Sequence, residues 1–298
     1  MKLKSLICRN VKLFFKDKGL FFSTMITPLI LILLYITFLG KVYTDSFNSA
    51  IPEGFKMSES IVSAMVGGQL LSSILAVCCI TVSFCSNLLS VQDKANGTLK
   101  DLTVSPVKNS VLSLSYYIST VFSTLIVCFT AFIAGLLYVY AVGWYMNVSD
   151  ILLLCADIIV LVLFGTALSS IINVFLTTEG QMSAVGTIIS AGYGFISGAY
   201  MPISQYGDVL QKVLSFLPGT YGTSVLRSHA LRGVFEQMAS DGVPGEILNQ
   251  IKASIDCNIS FFGNEVSDPA KFIFISASAL ILMGIYILLN IIKEKKTV

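Results

Sequence analysis

Apolar residues are concentrated in six long stretches, which shorter polar segments separate. A helix needs ~20 apolar residues to cross the ~30 Å hydrocarbon core of a bilayer. The length of the stretches predicts an all-α membrane protein with six transmembrane helices, although the fifth stretch is short and rich in glycine. The stretches cover about 20–40, 61–90, 111–142, 151–175, 182–200 and 270–292.

The first 19 residues show a different pattern, with apolar positions at helical spacing and basic residues largely between them. The apolar positions include Leu3, Leu6, Val11 and Phe14. This pattern favours an amphipathic helix lying in the membrane interface, with its basic side toward anionic headgroups. The alternative is a basic flank of the first span that has no structure of its own.

The positions of the basic residues predict the orientation in the membrane. Lys and Arg accumulate on the cytoplasmic side of a membrane protein. If the N-terminus is cytoplasmic, twelve of the 19 basic residues fall in inner segments. Both termini are then cytoplasmic, as an even number of spans requires. The twelve are Lys2, Lys4, Arg9, Lys12, Lys16, Lys18, Lys94, Lys100, Lys108, Lys293, Lys295 and Lys296.

The polar segment 201–269 lies on the outer side in this arrangement. Pro202 ends any helix that continues from the fifth span, and Pro218-Gly219 ends a short apolar helix that precedes it. About a dozen residues cannot cross a bilayer, so we expect a re-entrant or interfacial helix that forms a gate or a structural plug. Two outer helices, about 225–240 and 246–256, follow.

The fifth apolar stretch carries small residues four positions apart. Such spacing lets two helices approach closely in lipid. The partner is either another helix of this chain or a second copy. The positions are Gly186, Ser190, Gly194 and Gly198.

Composition agrees with a membrane location. Apolar residues make up 55% of the chain and charged residues 12%, about half the usual share in soluble domains. The net charge of +2 gives no basic surface for nucleic acid. Among the seven cysteines, Cys257 alone falls in an outer loop. We therefore expect no intramolecular disulfide, and we expect an impermeant thiol reagent to reach Cys257 but not Cys8.

The motifs of the common catalytic and metal sites are missing from the sequence. His229 is the single histidine, which disfavours a zinc site, and its expected place is an exposed or interfacial helix position. No P-loop occurs, so we expect the chain to have no ATPase site of its own and to bind no cofactor. Asp157 lies within the fourth span, where it pairs with Ser or Thr side chains or faces a polar cavity.

The loop 91–110 joins the second and third spans on the inner side. Gly97 ends the preceding helix and Thr98 can cap a short helix that Pro106 ends. Leu99 and Leu102 lie on one side of this helix. Such an element is suited to docking in a groove of a cytoplasmic protein, although it is also a common form of connection between spans.

The loop and the segment after the fifth span together resemble the ABC-2 family of transporter permeases. The resemblance covers nearly the whole chain as a single domain, 1–298, and departs from the family where Asp93 replaces a frequent Glu and Lys100 a frequent acid. The matching loop positions are Asp93, Gly97, Thr98, Leu99, Leu102, Ser105 and Pro106. The second matching set is Gly198, Met201, Pro202, Leu217, Pro218, Gly219, Thr220, Tyr221, Leu226 and Arg227.

The resemblance implies the membrane subunit of an ATP-driven exporter. Such a subunit pairs with a second permease, identical or related, and binds a cytoplasmic ATPase that holds ATP and magnesium. The loop residues would form the coupling helix, and Pro202, Leu217, Pro218, Gly219 and Tyr221 would close the outer end of the path. The cargo would be lipid-like, amphipathic, a drug, a peptide or a glycan, and the location the plasma membrane of a bacterium. The alternative is an ATP-independent carrier or a receptor-like sensor.

Overall fold

Helices account for nearly all regular structure in the part of the chain that the structure describes. The exception there is an antiparallel pair of two-residue strands, β1 (Ser260–Phe261) and β2 (Asn264–Glu265). The fold class predicted from the sequence, an all-α membrane protein, is confirmed. This computed structural model describes residues 3–50, 58–104, 107, 109–261 and 263–297.

The helices follow the apolar pattern closely. A π-helical turn, Tyr35–Leu39, joins α2 to α3, and a 3₁₀ turn, Ile203–Gln205, precedes α9. The helices are α1 (Leu3–Lys16), α2 (Lys18–Leu34), α3 (Gly40–Ala50), α4 (Glu59–Ala95), α5 (Thr98–Val104), α6 (Asn109–Val142), α7 (Val148–Phe175), α8 (Glu179–Ile196), α9 (Asp208–Leu214), α10 (Pro218–Ser240), α11 (Gly245–Ser254) and α12 (Asp268–Thr297).

Five stretches of helix among the described residues are long and apolar enough to cross a membrane. They are Thr24–Asp45, which runs from α2 into α3, the helices α4, α6 and α7, and the Asp268–Ile292 part of α12. The fifth predicted span corresponds to α8, which has 18 residues, spans about 27 Å and ends at Ile196, four residues earlier than expected. The count of six spans and the cytoplasmic location of both termini stay predictions.

Helix α4 is the centre of the bundle. It is buried along nearly its whole length and packs against α2, α6, α7, α8 and α10. Small residues permit these contacts: a Cβ on Gly68 would lie 3.2 Å from the carbonyl oxygen of Ala230 in α10. In α7, a Cβ on Gly165 would lie 2.9 Å from the carbonyl oxygen of Cys79 in α4. Close backbone approach of this kind replaces the hydrophobic effect as the source of packing energy in lipid.

The N-terminal helix α1 confirms the predicted amphipathic helix. Its buried stripe consists of Leu6, Asn10 and Phe14, which are spaced by four residues. The helix packs against α6 and, to a lesser extent, α2. The buried stripe therefore contacts protein, whereas the expectation for the apolar side was the lipid interface. Contact with headgroups through the basic side stays a prediction.

The outer segment contains more helix than the sequence indicated. The Pro218-Gly219 pair does not lie in a break between helices, because Pro218 is the first residue of α10. Proline is favoured at this position, where its missing N–H is not needed. The predicted helix 225–240 is thus the second part of a 23-residue helix, Pro218–Ser240.

Candidate coupling site and outer gate

The short helix α5 begins where the sequence predicted, but a different residue caps it. Gly97 has φ +78° and its carbonyl oxygen accepts hydrogen bonds from the backbone N–H groups of Lys100 and Asp101. Gly97 is therefore the N-cap residue and Thr98 the first residue of the helix, so the capping role expected for Thr98 is wrong. Glycine fits here because a side chain at this φ is strained. Ser105 and Pro106, also assigned to this site, lie outside the described residues.

Leu99 and Leu102 face the bundle. They pack on a small apolar cluster formed by Leu6 of α1 with Leu112 and Tyr116 of α6. This cluster holds α5 against the spans, so neither leucine forms the outward surface.

The outward surface of α5 consists of polar residues and one valine. Lys100 and Asp101 are exposed, and Val104 is 88% exposed. A partner protein that docks on α5 would meet these three side chains first.

An ion pair joins the end of α4, which precedes α5, to two other helices. Asp93, near the end of α4, accepts hydrogen bonds from both terminal nitrogens of Arg9 in α1, at 2.8 and 3.2 Å. The Tyr116 hydroxyl of α6 donates to the same carboxylate at 2.5 Å. Bidentate Arg–carboxylate pairs are among the stronger polar contacts in proteins. The hydrogen bond to Asp93 raises the pKa of the Arg9 guanidinium, which stays charged.

This Arg9–Asp93–Tyr116 cluster was only partly visible in the sequence. Asp93 was assigned to the coupling loop. The residue is 7% exposed, and its carboxylate is hydrogen-bonded within the chain. Arg9 was read as one of several basic residues, and Tyr116 as part of a span. The spacing of the apolar residues in α1 is the signal that could have indicated these partners. Burial of that stripe places Arg9 beside α4.

In the segment predicted to lie outside, the predicted gate residues form a bonded turn between α9 and α10. The Tyr221 hydroxyl donates to the carbonyl oxygen of Ser215 at 2.6 Å, and its ring lies edge-on to Phe274. The Thr220 hydroxyl donates to the carbonyl oxygen of Leu214 at 2.9 Å. The two hydrogen bonds hold the start of α10 to the end of α9, and the ring contact holds the turn against α12.

The other predicted gate residues lie around this turn. Leu217 is the N-cap of α10 and is partly exposed. A Cβ on Gly219 would lie 2.6 Å from the hydroxyl oxygen of Tyr193, so glycine lets α10 touch α8. Pro202 is buried and begins the 3₁₀ turn.

Arg227, in the first half of α10, connects the outer elements. Its side chain is fully buried. Its terminal nitrogens donate to the carbonyl oxygens of Ile255 at 2.6 Å and Gly198 at 3.0 Å, and one lies 3.5 Å from Ser73 Oγ. Sequence reasoning listed Arg227 as a family position without a role, because its partners are backbone carbonyls far away in the chain.

Asp256 completes this arrangement. Its carboxylate lies 3.8 Å from the Arg227 guanidinium and accepts hydrogen bonds from the backbone N–H groups of Ile203 and Ser204. A buried charge is tolerated only when paired and hydrogen-bonded. The Arg227–Asp256 pair therefore fixes the 3₁₀ turn next to Pro202.

The four small residues of the fifth span have different surroundings. Gly186 and Ser190 line a groove beside α2 and α3. A Cβ on Gly194 would lie 2.3 Å from the ring of Tyr200, so this position packs within the chain. Gly198 lies beyond the end of α8 with φ +74°, so the helix-packing role expected for it is wrong.

The groove between α2, α3 and α8 has a volume of about 820 Å³. Its walls are mainly apolar, and Pro202 and Gln205 lie at one end. It opens on the surface of the bundle. Its size and apolar walls suit an amphipathic molecule or the side chains of another helix.

A buried acid–histidine pair lies near the outer end of α7. The Nδ1 atom of His229 is 2.6 Å from Asp157 Oδ2, and Asp157 is 3% exposed. Asp157 is thus paired, but with an imidazole and not with the Ser or Thr side chains that the sequence favoured. Of the two positions expected for His229, the exposed one is wrong, since its side chain is 12% exposed, and the interfacial one stays a prediction.

Cys257 also differs from expectation. The residue is 2% exposed, and its carbonyl oxygen accepts hydrogen bonds from Ser224 and Lys271. Burial raises the pKa of its thiol to about 12. The predicted accessibility of Cys257 is therefore contradicted, whereas Cys8 is exposed. None of the seven cysteines forms a disulfide.

Comparison with known proteins identifies the family. The family model for the ABC-2 type transporter matches residues 1–231, which include α1, α5, the predicted gate residues and Arg227. No curated protein and no solved structure matches the chain. The match covers more than half of the residues and agrees with the helical, membrane-spanning architecture. The chain belongs to the ABC-2 type transporter family and is a multi-pass membrane permease subunit.

Proposed function

We propose that this chain moves cargo outward across the plasma membrane of a bacterium as one half of an ATP-driven exporter. The energy comes from a separate ABC ATPase in the cytoplasm, which binds ATP and magnesium; this chain holds no cofactor and has no catalytic site. The observation that supports the proposal best is α5, a seven-residue helix whose tip carries the exposed Val104. The Arg9–Asp93–Tyr116 cluster holds the end of α4, which precedes α5, against α1 and α6.

The geometry of α5 suits force transfer. An exposed valine at the tip of a short helix gives a partner an apolar contact, and Lys100 and Asp101 offer charges around it. Because Leu99 and Leu102 pack on α1 and α6, movement of α5 is transmitted to those helices. A flexible loop would absorb the same movement.

The groove between α2, α3 and α8 supports an amphipathic or lipid-like cargo. Its apolar walls can bury hydrocarbon, while Ser183, Thr187 and Gln205 supply a few polar contacts. A second permease subunit that packed against α2, α3 and α8 would close it. Pro202, one of the predicted gate residues, lines it. Drugs, peptides and glycans with apolar parts belong to the same class of cargo.

The experiment compares two exposed valines at opposite ends of the bundle. The tagged full-length chain is purified from its native membranes as wild type, Val104→Asp and Val209→Asp. Val104 and Val209 lie in seven-residue helices and are 88% and 79% exposed. Both variants should fold normally, because neither side chain is packed.

We expect a P-loop ATPase to co-purify with wild type and Val209→Asp and to be at least tenfold depleted with Val104→Asp. Equal recovery with all three proteins would contradict the docking surface. Absence of any ATPase, together with cargo movement in vesicles that lack nucleotide, would support the ATP-independent carrier instead.

A further inference from the structure

A second cavity lies beside α5, at the end of the bundle that we predict to be cytoplasmic. It has a volume of about 480 Å³ and is lined by residues of α4, α5, α6, α7 and α12. This volume is in the usual range for small-molecule sites. The cavity shares no lining residue with the apolar groove between α2, α3 and α8, so it is a separate place where a ligand can be enclosed.

The polar part of the cavity wall consists mainly of uncharged amide and hydroxyl groups. None of the described residues that line the cavity is acidic. Lys94 and Lys100 also line it, but both take part in interactions within the chain, and we assign them no role in binding. The uncharged groups are Asn87, Ser90, Ser170 and Asn173 of α4 and α7, and Asn109, Ser113, Tyr286 and Asn290 of α6 and α12.

Two side chains of α7 have hydrogen-bonding capacity that the chain does not use. Asn173 is 2% exposed, its amide nitrogen donates to the carbonyl oxygen of Asn87 at 2.9 Å, and its Oδ1 has no partner among the described residues. Ser170 Oγ accepts from Asn87 Nδ2 at 2.8 Å, and within the described part of the chain its hydroxyl hydrogen has no acceptor.

These two groups together select for a hydroxyl group. Residues three apart on a helix are neighbours on one face, so Ser170 offers a donor beside the acceptor of Asn173. A ligand hydroxyl can donate to Asn173 Oδ1 and accept from Ser170 at once, whereas an ionised phosphate or carboxylate has no hydrogen to donate. A buried acceptor left without a donor is unfavourable, so the ligand bond would offset a cost that the empty wall carries.

The part of the wall formed by α6 and α12 suits a larger hydroxylated ligand. Ser113 Oγ donates to Asn290 Oδ1 at 2.8 Å, and Asn290 Nδ2 donates to the carbonyl oxygen of Tyr286 at 2.8 Å. The Ser113 oxygen can still accept a further bond. The Tyr286 ring is stacked on Tyr117, with centroids 6.1 Å apart, and adds an aromatic surface against which a sugar ring can pack.

We propose that this cavity binds an uncharged sugar or polyol. One hydroxyl group bonds to Asn173 and Ser170, and the ring packs beside Tyr286. A soluble sugar and the headgroup of a neutral glycolipid share this chemistry. Because Leu99 of α5 also lines the cavity, the ligand restrains α5. The site goes beyond the proposed function, since it is separate from the cargo groove and its test requires no ATPase.

The test measures binding to the purified full-length chain in an amine-oxide detergent, which carries no hydroxyl group. The soluble probe is methyl glucoside and the lipid probe is monoglucosyl diacylglycerol. Phosphatidylcholine and phosphatidylmethanol, which is anionic, serve as lipids without a headgroup hydroxyl. Binding is read as the apparent Kd from native mass spectrometry, and the effect on α5 as its rate of hydrogen exchange.

Two adjacent serines provide a matched pair of variants. Ser169 Oγ also accepts from Asn87 Nδ2, at 3.0 Å, but Ser169 does not line the cavity. We expect Ser170→Ala to weaken binding about fivefold and Ser169→Ala to leave it unchanged. Ser169 makes further bonds to the carbonyl oxygens of Ser83 and Thr166, so a loss caused only by disturbed packing would be larger in Ser169→Ala.

We expect at least one glucosyl probe to bind about tenfold more tightly than either lipid without a hydroxyl and to slow hydrogen exchange of α5. Binding of methyl glucoside would identify a soluble sugar as a sufficient ligand, and binding of monoglucosyl diacylglycerol alone would identify a membrane lipid. Asn173→Ala should weaken binding about tenfold. Because this change also removes the bond to Asn87, the comparison of the two serine variants is decisive.

Failure of both glucosyl probes to bind would overturn the site. Equal affinities of Ser170→Ala and Ser169→Ala would overturn the assigned contacts on α7. Tighter binding of phosphatidylmethanol than of monoglucosyl diacylglycerol would overturn the uncharged ligand class, and unchanged exchange of α5 in the bound protein would overturn its restraint by the ligand.

Discussion

The guanidinium of Arg227 lies 3.8 Å from the carboxylate of Asp256, and both side chains are buried where four segments of the outer end meet. Arg227 bonds to the backbone after α8 and after α11, and Asp256 bonds to the 3₁₀ turn. The pair therefore joins these segments by polar contacts in addition to the apolar packing of neighbours such as Leu226 and Ile255.

Replacement of Arg227 by leucine should destabilise the outer end strongly. The change leaves Asp256 as an uncompensated buried charge and removes the donors to Gly198 and Ile255. We expect a loss of about 3–5 kcal/mol in the free energy of unfolding. Thermal unfolding in detergent checks this, with Lys212→Leu, an exposed basic residue in α9, as control. A Tm within a degree of wild type for Arg227→Leu would contradict the assigned role.

Neutralising Asp93 should loosen α1 from the bundle. Asp93→Asn weakens the bidentate contact with Arg9 and the hydrogen bond from Tyr116. Hydrogen bonds to charged groups contribute about 1.5–3 kcal/mol. Hydrogen exchange of α1 should therefore speed up, and recovery of the ATPase in the co-purification should fall. Glu246→Gln, an exposed acid in α11, is the control; protection of α1 equal to wild type would argue against the cluster.

Cys257 should not react with an impermeant thiol reagent. Its side chain is buried, and a thiol with a pKa of about 12 is almost entirely protonated between pH 7 and 9, so the reactive thiolate is scarce. An engineered Asp241→Cys, at an exposed turn, should be labelled from outside the cell, while Cys8 should be labelled only after the membrane is permeabilised. Labelling of Cys8 in intact cells together with protection of Asp241→Cys would reverse the predicted orientation.

Two glycine-to-alanine changes in helices should have opposite effects. A Cβ on Gly233 would lie 1.8 Å from the carbonyl oxygen of Tyr145, so Gly233→Ala forces α10 away from the α6–α7 turn and should cost about 1–3 kcal/mol. A Cβ on Gly192 meets nothing within 4 Å. Gly192→Ala should therefore be neutral or stabilise α8 by up to about 1 kcal/mol. The Tm of each variant is compared with that of wild type. A Tm of Gly233→Ala equal to that of wild type would refute the close approach of α10 to Tyr145.

The helices could be predicted from the sequence because the apolar stretches and their turn residues are local features. Gly97 and Pro218 were correctly predicted as helix boundaries. Both were expected to end a helix, whereas Gly97 also caps the start of α5 and Pro218 is the first residue of α10. The polar contacts could not be predicted, because each joins residues far apart in the chain: Arg9 with Asp93, Asp157 with His229, and Arg227 with Gly198. Periodicity indicates which face of a helix is buried, but not which helix covers it.

The length of α4 has a mechanical consequence. Asp93 and Ser73 lie 20 residues apart on this one helix, about 30 Å, which is the thickness of the hydrocarbon core. Asp93 is bonded near the C-terminal end of α4, and Ser73, in the first half of the helix, contacts Arg227. The described helix contains no proline to act as a joint between them. A tilt imposed at one end of this rod must therefore displace the contacts at the other.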